Sequence, residues 1–190
     1  MRDIVIVGAG MAGLHTAESL RAEGFGGTIT LIGDETRRPY SRPPLSKELL
    51  TGTGSDKSIV LRDDDEFDAL ALDLRLGRRA VRLRPADRTV ELDDGTAVRY
   101  DGLVIATGAR ARRPATDPAG VHVLRTLDDA RAVRAAFDTA ERVAVVGAGF
   151  IGAEVAASAR AVGLDVTLIE AAPTPLTRVV DPRVGTVPTD

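Results

Sequence analysis

Gly8, Gly10 and Gly13 stand directly after an apolar run, Ile4, Val5, Ile6 and Val7, and give the spacing GxGxxG. In that spacing the first glycine allows a tight turn. The second lets a pyrophosphate approach the backbone, and the third lets a helix pack close to the strand. The helix N-terminus that follows offers unpaired N–H groups and a positive dipole end to the phosphates. The pattern recurs at Gly147, Gly149 and Gly152, after Val143 to Val146. Two such fingerprints in one chain imply two dinucleotides bound side by side. The ordinary chemical use of that pairing is hydride transfer from a nicotinamide to a flavin.

An acidic residue about twenty positions after the glycines binds the ribose hydroxyls in such units. In the first copy Asp34 or Glu35 can serve, and register with the second copy favours Asp34. In the second copy Glu170 ends the strand directly. A carboxylate there accepts both ribose hydroxyls and repels a 2′-phosphate. No arginine follows closely enough to reverse that preference, Arg178 being too far along, so NADH is expected over NADPH. Residues 37–50, RRPYSRPPLSKELL, lie between the copies. Pro39, Pro43 and Pro44 rigidify this backbone and exclude regular structure before Leu45. Residues 45–50 then read as a short helix bearing Lys47. A rigid loop tipped with Arg42 and Lys47 can reach across a bound dinucleotide. Arg110 follows Thr107 and Gly108, near enough to a strand end to meet a phosphate, whereas Arg112 and Arg113 read as solvated. His15, early in the first helix, reads as a surface or packing residue.

The elements that must position these groups follow from periodicity. Residues 11–22 carry Leu14, Ala17 and Leu20 at helical spacing, and residues 24–27 stop the helix. Residues 28–32 form the next strand. Residues 51–58 are rich in Gly, Ser and Thr and read as a mobile stretch. Short alternating runs at 80–83, 89–92 and 97–100 read as a small antiparallel meander, and 73–76 as a parallel strand of the main sheet. Residues 103–106 return as a buried strand. Residues 127–137 form an amphipathic helix with Asp128 and Asp129 near its start, where the dipole favours them. A buried strand at 143–146, a helix at 151–162 and a strand at 165–169 complete the second copy. The expected fold class is α/β, with two Rossmann-like βαβ dinucleotide-binding units and the meander inserted.

Composition narrows the function. The chain has 190 residues, 44% of them hydrophobic and only 3% aromatic, and a formal charge of -3. No basic stretch is interleaved with aromatics, so nucleic acid is not an expected partner. There is no cysteine. Disulfides, thiolate zinc sites, iron–sulfur ligation and a redox-active Cys pair are thus excluded within these residues. No apolar run reaches membrane-spanning length, and the N-terminus enters a strand without a signal peptide. A cytoplasmic setting is expected.

The glycines at 8, 10 and 13, Glu35, the segment YSRPPLSK at 40–47, Ala106-Thr107-Gly108, Leu124-Arg125-Thr126 and residues 147–154 together carry a resemblance. The chain resembles the FAD-dependent pyridine nucleotide oxidoreductases, of the ferredoxin reductase type that serves oxygenase systems. The resemblance implies FAD at the first fingerprint (residues 1–113) and NAD at the second (residues 114–190). It implies Glu35 as the FAD ribose ligand and Arg42, Arg110 and Arg125 as FAD contacts. It implies Lys47 near the flavin N5 edge, Glu154 close to that lysine and to the nicotinamide, and Glu170 as the NAD ribose ligand. A [2Fe–2S] ferredoxin is the implied electron acceptor. A rubredoxin reductase of the same architecture, and a non-enzymatic FAD- and NADH-binding module similar to apoptosis-inducing flavoproteins, are the alternatives. The resemblance covers about the first half of a full-length family member. Further strands of the NAD domain, a later FAD segment and a C-terminal domain are expected in such a member, so this chain alone is expected to be weak or inactive. Val179 and Val180 read as residues meant to be packed.

Overall fold

Ile4, Val5, Ile6 and Val7 are all β-branched, and they form the centre of the first sheet. A computed structural model describes residues 2–113, 115, 118–177 and 181. Arg178, Val179 and Val180 lie outside the described residues. The strands are β1 (Asp3–Val7), β2 (Thr28–Gly33), β3 (Asp73–Leu76), β4 (Ala80–Arg84), β5 (Thr89–Leu92), β6 (Ala97–Arg99), β7 (Gly102–Ile105), β8 (Arg142–Val146) and β9 (Asp165–Ile169). The α-helices are α1 (Met11–Ala22), α2 (Glu48–Thr51), α3 (Asp64–Ala69), α4 (Leu127–Phe137) and α5 (Phe150–Ala161). Two 3₁₀ turns, Pro43–Ser46 and Asp56–Ile59, flank α2. The chain divides into two compact units, Met1–Ser41 with Val60–Ala109, and Arg42–Ile59 with Arg110–Asp190.

In the first unit a parallel sheet runs in the order β3-β2-β1-β7. Successive side chains of β1 point to opposite faces. Ile4 and Ile6 pack with Ala17 of α1 and with Ile29 and Leu31 of β2. Val5 packs on the other face with Ile32, Val90 and Leu92. The antiparallel meander β4-β5-β6 therefore covers the sheet face opposite α1. Both faces of β1 are buried, as a continuous apolar run requires. Arg21 ties the connections together by donating to the carbonyls of Phe25, Gly27, Leu70 and Ala71.

Two local expectations are corrected, and one element is added. The helix at 45–50 is instead a 3₁₀ turn starting at Pro43, then α2, with Lys47 at the junction. Prolines do not exclude this turn, because its first N–H groups have no partner to lose. The stretch at 51–58 is bonded along its length. Gly54 N donates to Glu48 O at 2.9 Å, Asp56 pairs with Arg131, and Ile59 is buried. Helix α3 was not legible from apolar period. It is nucleated by a capping box between Asp63 and Glu66, and Phe67 is its buried residue.

In the second unit β8 and β9 form a parallel pair, and α5 packs on both. The run at 143–146 reads as a buried strand, yet Val145 alone is buried and Val146 is 82% exposed. Among the described residues this sheet has two strands, so neither has a neighbour on its outer edge. Helix α2 packs against α4 and α5.

Candidate dinucleotide loops and a charged pair

The first glycine loop is closed by hard contacts. Gly8 has φ +122, and a Cβ built there would lie 2.0 Å from the carbonyl oxygen of Ala106. Ala106 N in turn donates to Val7 O at 2.7 Å, which brings residues 106–108 beside the loop. At Gly13 a Cβ would lie 1.9 Å from Gly8 O, and at Gly152 a Cβ would lie 1.8 Å from Gly147 O. The third glycine of each copy is thus the close helix–strand contact that the spacing implies. At Gly10 and Gly149 a Cβ meets nothing within 4 Å.

Those two open glycines are also the N-caps of α1 and α5, and neither helix has a side-chain cap. By contrast, α3 and α4 are closed by capping boxes at Asp63 and Thr126. The first-turn N–H groups of α1 and α5 are the donors a pyrophosphate takes. The residues present therefore fit two dinucleotides, one at each loop.

Asp34 and Glu35 follow β2, Asp34 exposed and Glu35 partly buried. The hydroxyl of Tyr40, itself buried, donates to Glu35 Oε2 at 2.5 Å and holds the carboxylate in place. In the second unit Glu170 accepts from Ala148 N at 2.6 Å and from Ala172 N at 2.9 Å. Its carboxylate is fixed against the glycine loop by the backbone on both sides. Thr107, Gly108 and Arg110 are exposed. His15 is exposed and paired with Glu18, as a surface residue.

The second unit brings Lys47 and Glu154 together. Lys47 Nζ lies 2.8 Å from Glu154 Oε1, and Ser46 Oγ donates to Glu154 Oε2 at 2.5 Å. Both carboxylate oxygens are thereby used. The hydrogen bond from Lys47, then that from Ser46, holds the Glu154 carboxyl below its ordinary range, against partial burial that raises it. The pair lines a cavity of about 290 Å³ with Arg42, Leu124, Arg125, Phe150 and Ile151. Arg42, also in the lining, donates to the Arg125 carbonyl at 2.5 Å. The apolar wall of Phe150 and Ile151 was not anticipated, nor was any role for Ser46. All three positions lie inside the motifs already singled out.

The pyridine nucleotide-disulphide oxidoreductase family matches residues 2–189. Rhodocoxin reductase of Rhodococcus erythropolis is 47% identical over 178 residues, covering 92% of this chain and 42% of that protein. The ferredoxin–NAD(+) reductase component of the p-cumate 2,3-dioxygenase system of Pseudomonas putida is 48% identical over 182 residues, covering 94% of this chain and 45% of that protein. Among solved structures, the ferredoxin reductase for the CYP199A2 system from Rhodopseudomonas palustris superposes with a TM-score of 0.91 at 42% identity, covering 98% of this chain and 46% of that one. The chain thus spans a little under half the length of the relatives it matches. No helix among the described residues is long and apolar enough to cross a membrane. With both glycine loops, the proline-bearing segment and the match over nearly every residue in agreement, the chain belongs to the pyridine nucleotide-disulphide oxidoreductase family.

Proposed function

We propose that the protein carrying this chain is an NADH-dependent flavoprotein reductase that passes electrons from NADH through FAD to a [2Fe–2S] ferredoxin. The observation that carries this reading is the Lys47–Glu154 pair, set at 2.8 Å between the proline-bearing segment and the second glycine-loop helix. The names of the relatives, a ferredoxin–NAD(+) reductase component among them, support the same acceptor. The 190 residues hold no cysteine, so no Cys pair within them can relay electrons.

In this reading residues 1–113 bind FAD and residues 114–190 begin the NAD site. The N-terminus of α1 and the open face at Gly10 take the FAD pyrophosphate. Glu35, oriented by Tyr40, takes the ribose, with Asp34 the neighbouring acid. Thr107, Gly108, Arg42, Arg110 and Arg125 are further FAD contacts. The N-terminus of α5 with Gly147, Gly149 and Gly152 takes the NAD pyrophosphate, and Glu170 takes the adenosine ribose. Bound FAD supplies a hydride acceptor that can release electrons singly. Lys47 places a positive charge by the reacting ring system, and Glu154 holds that ammonium in position. Neither side chain acts as a nucleophile. A cytoplasmic setting belongs to the same reading, since NADH is supplied there.

The test is a visible spectrum of the whole protein with FAD, then anaerobic NADH, then oxidised ferredoxin. A flavin band that NADH bleaches and ferredoxin restores is the expected result. No flavin band with excess FAD, or a band that NADH leaves unchanged, overturns the reading. Restoration by rubredoxin and not ferredoxin moves the acceptor. A long-lived reduced flavin that neither carrier reoxidises identifies a binding module.

A further inference from the structure

Helix α5 holds residue 46 from two sides. Glu154 and Ser158 are four residues apart and so lie one turn apart on one helix face. Glu154 Oε2 accepts from the Ser46 hydroxyl at 2.5 Å. The Ser158 hydroxyl donates to the Ser46 carbonyl at 2.7 Å. Ser46 is 5% exposed and Ser158 6%. A serine inside a helix commonly turns its hydroxyl back to the carbonyl four residues earlier. Ser158 instead spends its donor on the 43–47 segment, where a buried polar group needs a partner.

That bond has a geometric consequence for Lys47. The Ser46 carbonyl belongs to the peptide plane whose other end is the nitrogen and Cα of Lys47. Fixing the carbonyl fixes the root of the lysine side chain. Lys47 N is also tied, to Pro44 O at 3.1 Å, and its ammonium donates to Pro43 O at 3.2 Å as well as facing Glu154. One helix turn therefore sets the carboxylate, the hydroxyl that bonds it and the backbone that presents its cation. We propose that Ser158 is a positioning residue for the Lys47–Glu154 pair, acting through both ends of Ser46. This rests on the reading of that pair given above.

The test reads the pair itself and needs no dinucleotide. Glu154 is titrated in the protein by carbon-detected NMR of its side-chain carboxyl, assigned by the signal lost in Glu154→Gln. The charged groups around it are Lys47 and, across the cavity, Arg42 and Arg125. Ser46→Ala removes one bond to the carboxylate, and its titration moves to higher pH. Ser158→Ala touches neither charge, yet the titration also moves to higher pH, while Ser158→Thr, which keeps the hydroxyl, retains the wild-type midpoint. A purely structural serine lowers the melting temperature and leaves the Glu154 titration where it was; that result in folded Ser158→Ala overturns the proposal. If Ser158→Ala does not fold, Ser158→Val, which has the shape of Ser158→Thr without its hydroxyl, takes its place. An unchanged titration there overturns the proposal equally. Because no cofactor is present, a coupled Ser158 alongside an unbleached flavin sinks the functional reading and leaves the geometry standing.

Discussion

The two glycines at positions 10 and 13 are three residues apart, and replacing each by alanine must do different things. At Gly13 the added methyl lies 1.9 Å from Gly8 O and 3.2 Å from Leu31 Cδ1, where ordinary contact begins at 3.4 Å. The carbonyl must retreat by more than an ångström. It has little room, since Gly8 N is bonded to Ile32 O at 2.8 Å and Gly8 itself lies against Ala106. Overpacking of this kind costs about 2 kcal/mol. For a chain of this size that lowers the melting temperature by about 4–8 °C, and by less in the longer whole protein. At Gly10 the methyl enters open space, and the backbone there, φ -101 and ψ -169, suits alanine. Loss of a glycine N-cap and gain from a stiffer unfolded chain offset to within about 0.5 kcal/mol. Stability stays near wild type, but in the proposed function the methyl stands where the pyrophosphate approaches. FAD affinity falls at least tenfold, about 1.4 kcal/mol. Thermal unfolding without ligand and spectral titration with FAD, both in the whole protein, read the two effects separately. Wild-type FAD affinity in Gly10→Ala refutes the assignment of that loop, and equal loss of stability in the two variants refutes the packing argument.

The remaining predictions concern charge and anchoring. Glu170→Ala loses the carboxylate that bonds Ala148 and Ala172; if that carboxylate faces the adenosine ribose as proposed, the preference for NADH over NADPH narrows about tenfold, measured as the ratio of their dissociation constants. Glu154 has a lowered folded-state value, so the pair's contribution to stability is present above the ordinary carboxylate range and is lost as pH falls through that lowered value. Lys47→Met removes the largest cause of the lowering, and the acid limb of stability against pH, followed by urea unfolding, becomes shallower; an unchanged limb counts against the pair. Arg134 donates to the Leu50 carbonyl at 2.9 Å and is half-buried between α2 and α4. Arg134→Ala costs about 1.5 kcal/mol and speeds limited proteolysis within 42–59, with equal cleavage rates as the contrary result.

What was legible in the chain was what neighbours in sequence decide. The GxGxxG spacing located both loops, and β1 read as a strand buried on both faces because every residue from Ile4 to Val7 is β-branched and apolar. The meander was legible from alternation, and β3 was rightly separated from it. Asp63 and Glu66 were a readable helix start, missed because α3 buries only Phe67 and has no apolar period to notice. Pro43 and Pro44 misled because a rule about helix interiors was applied where a helical turn begins. Burial of β8 could not be read from its own residues, since Val146 is apolar and yet 82% exposed, in a sheet that has two strands among the described residues. The charged pair marks the limit most clearly. Nothing local relates Ser46 to residues 108 and 112 positions away, yet Glu154 and Ser158 both reach it. Lys47 and Glu154 were first joined by resemblance, not by spacing. The bonds that place them run through Ser46, a residue of no evident chemistry, because a long side chain bearing charge is only as well placed as the peptide it grows from. The supporting hydroxyls are therefore where a charged site leaves the least trace in sequence.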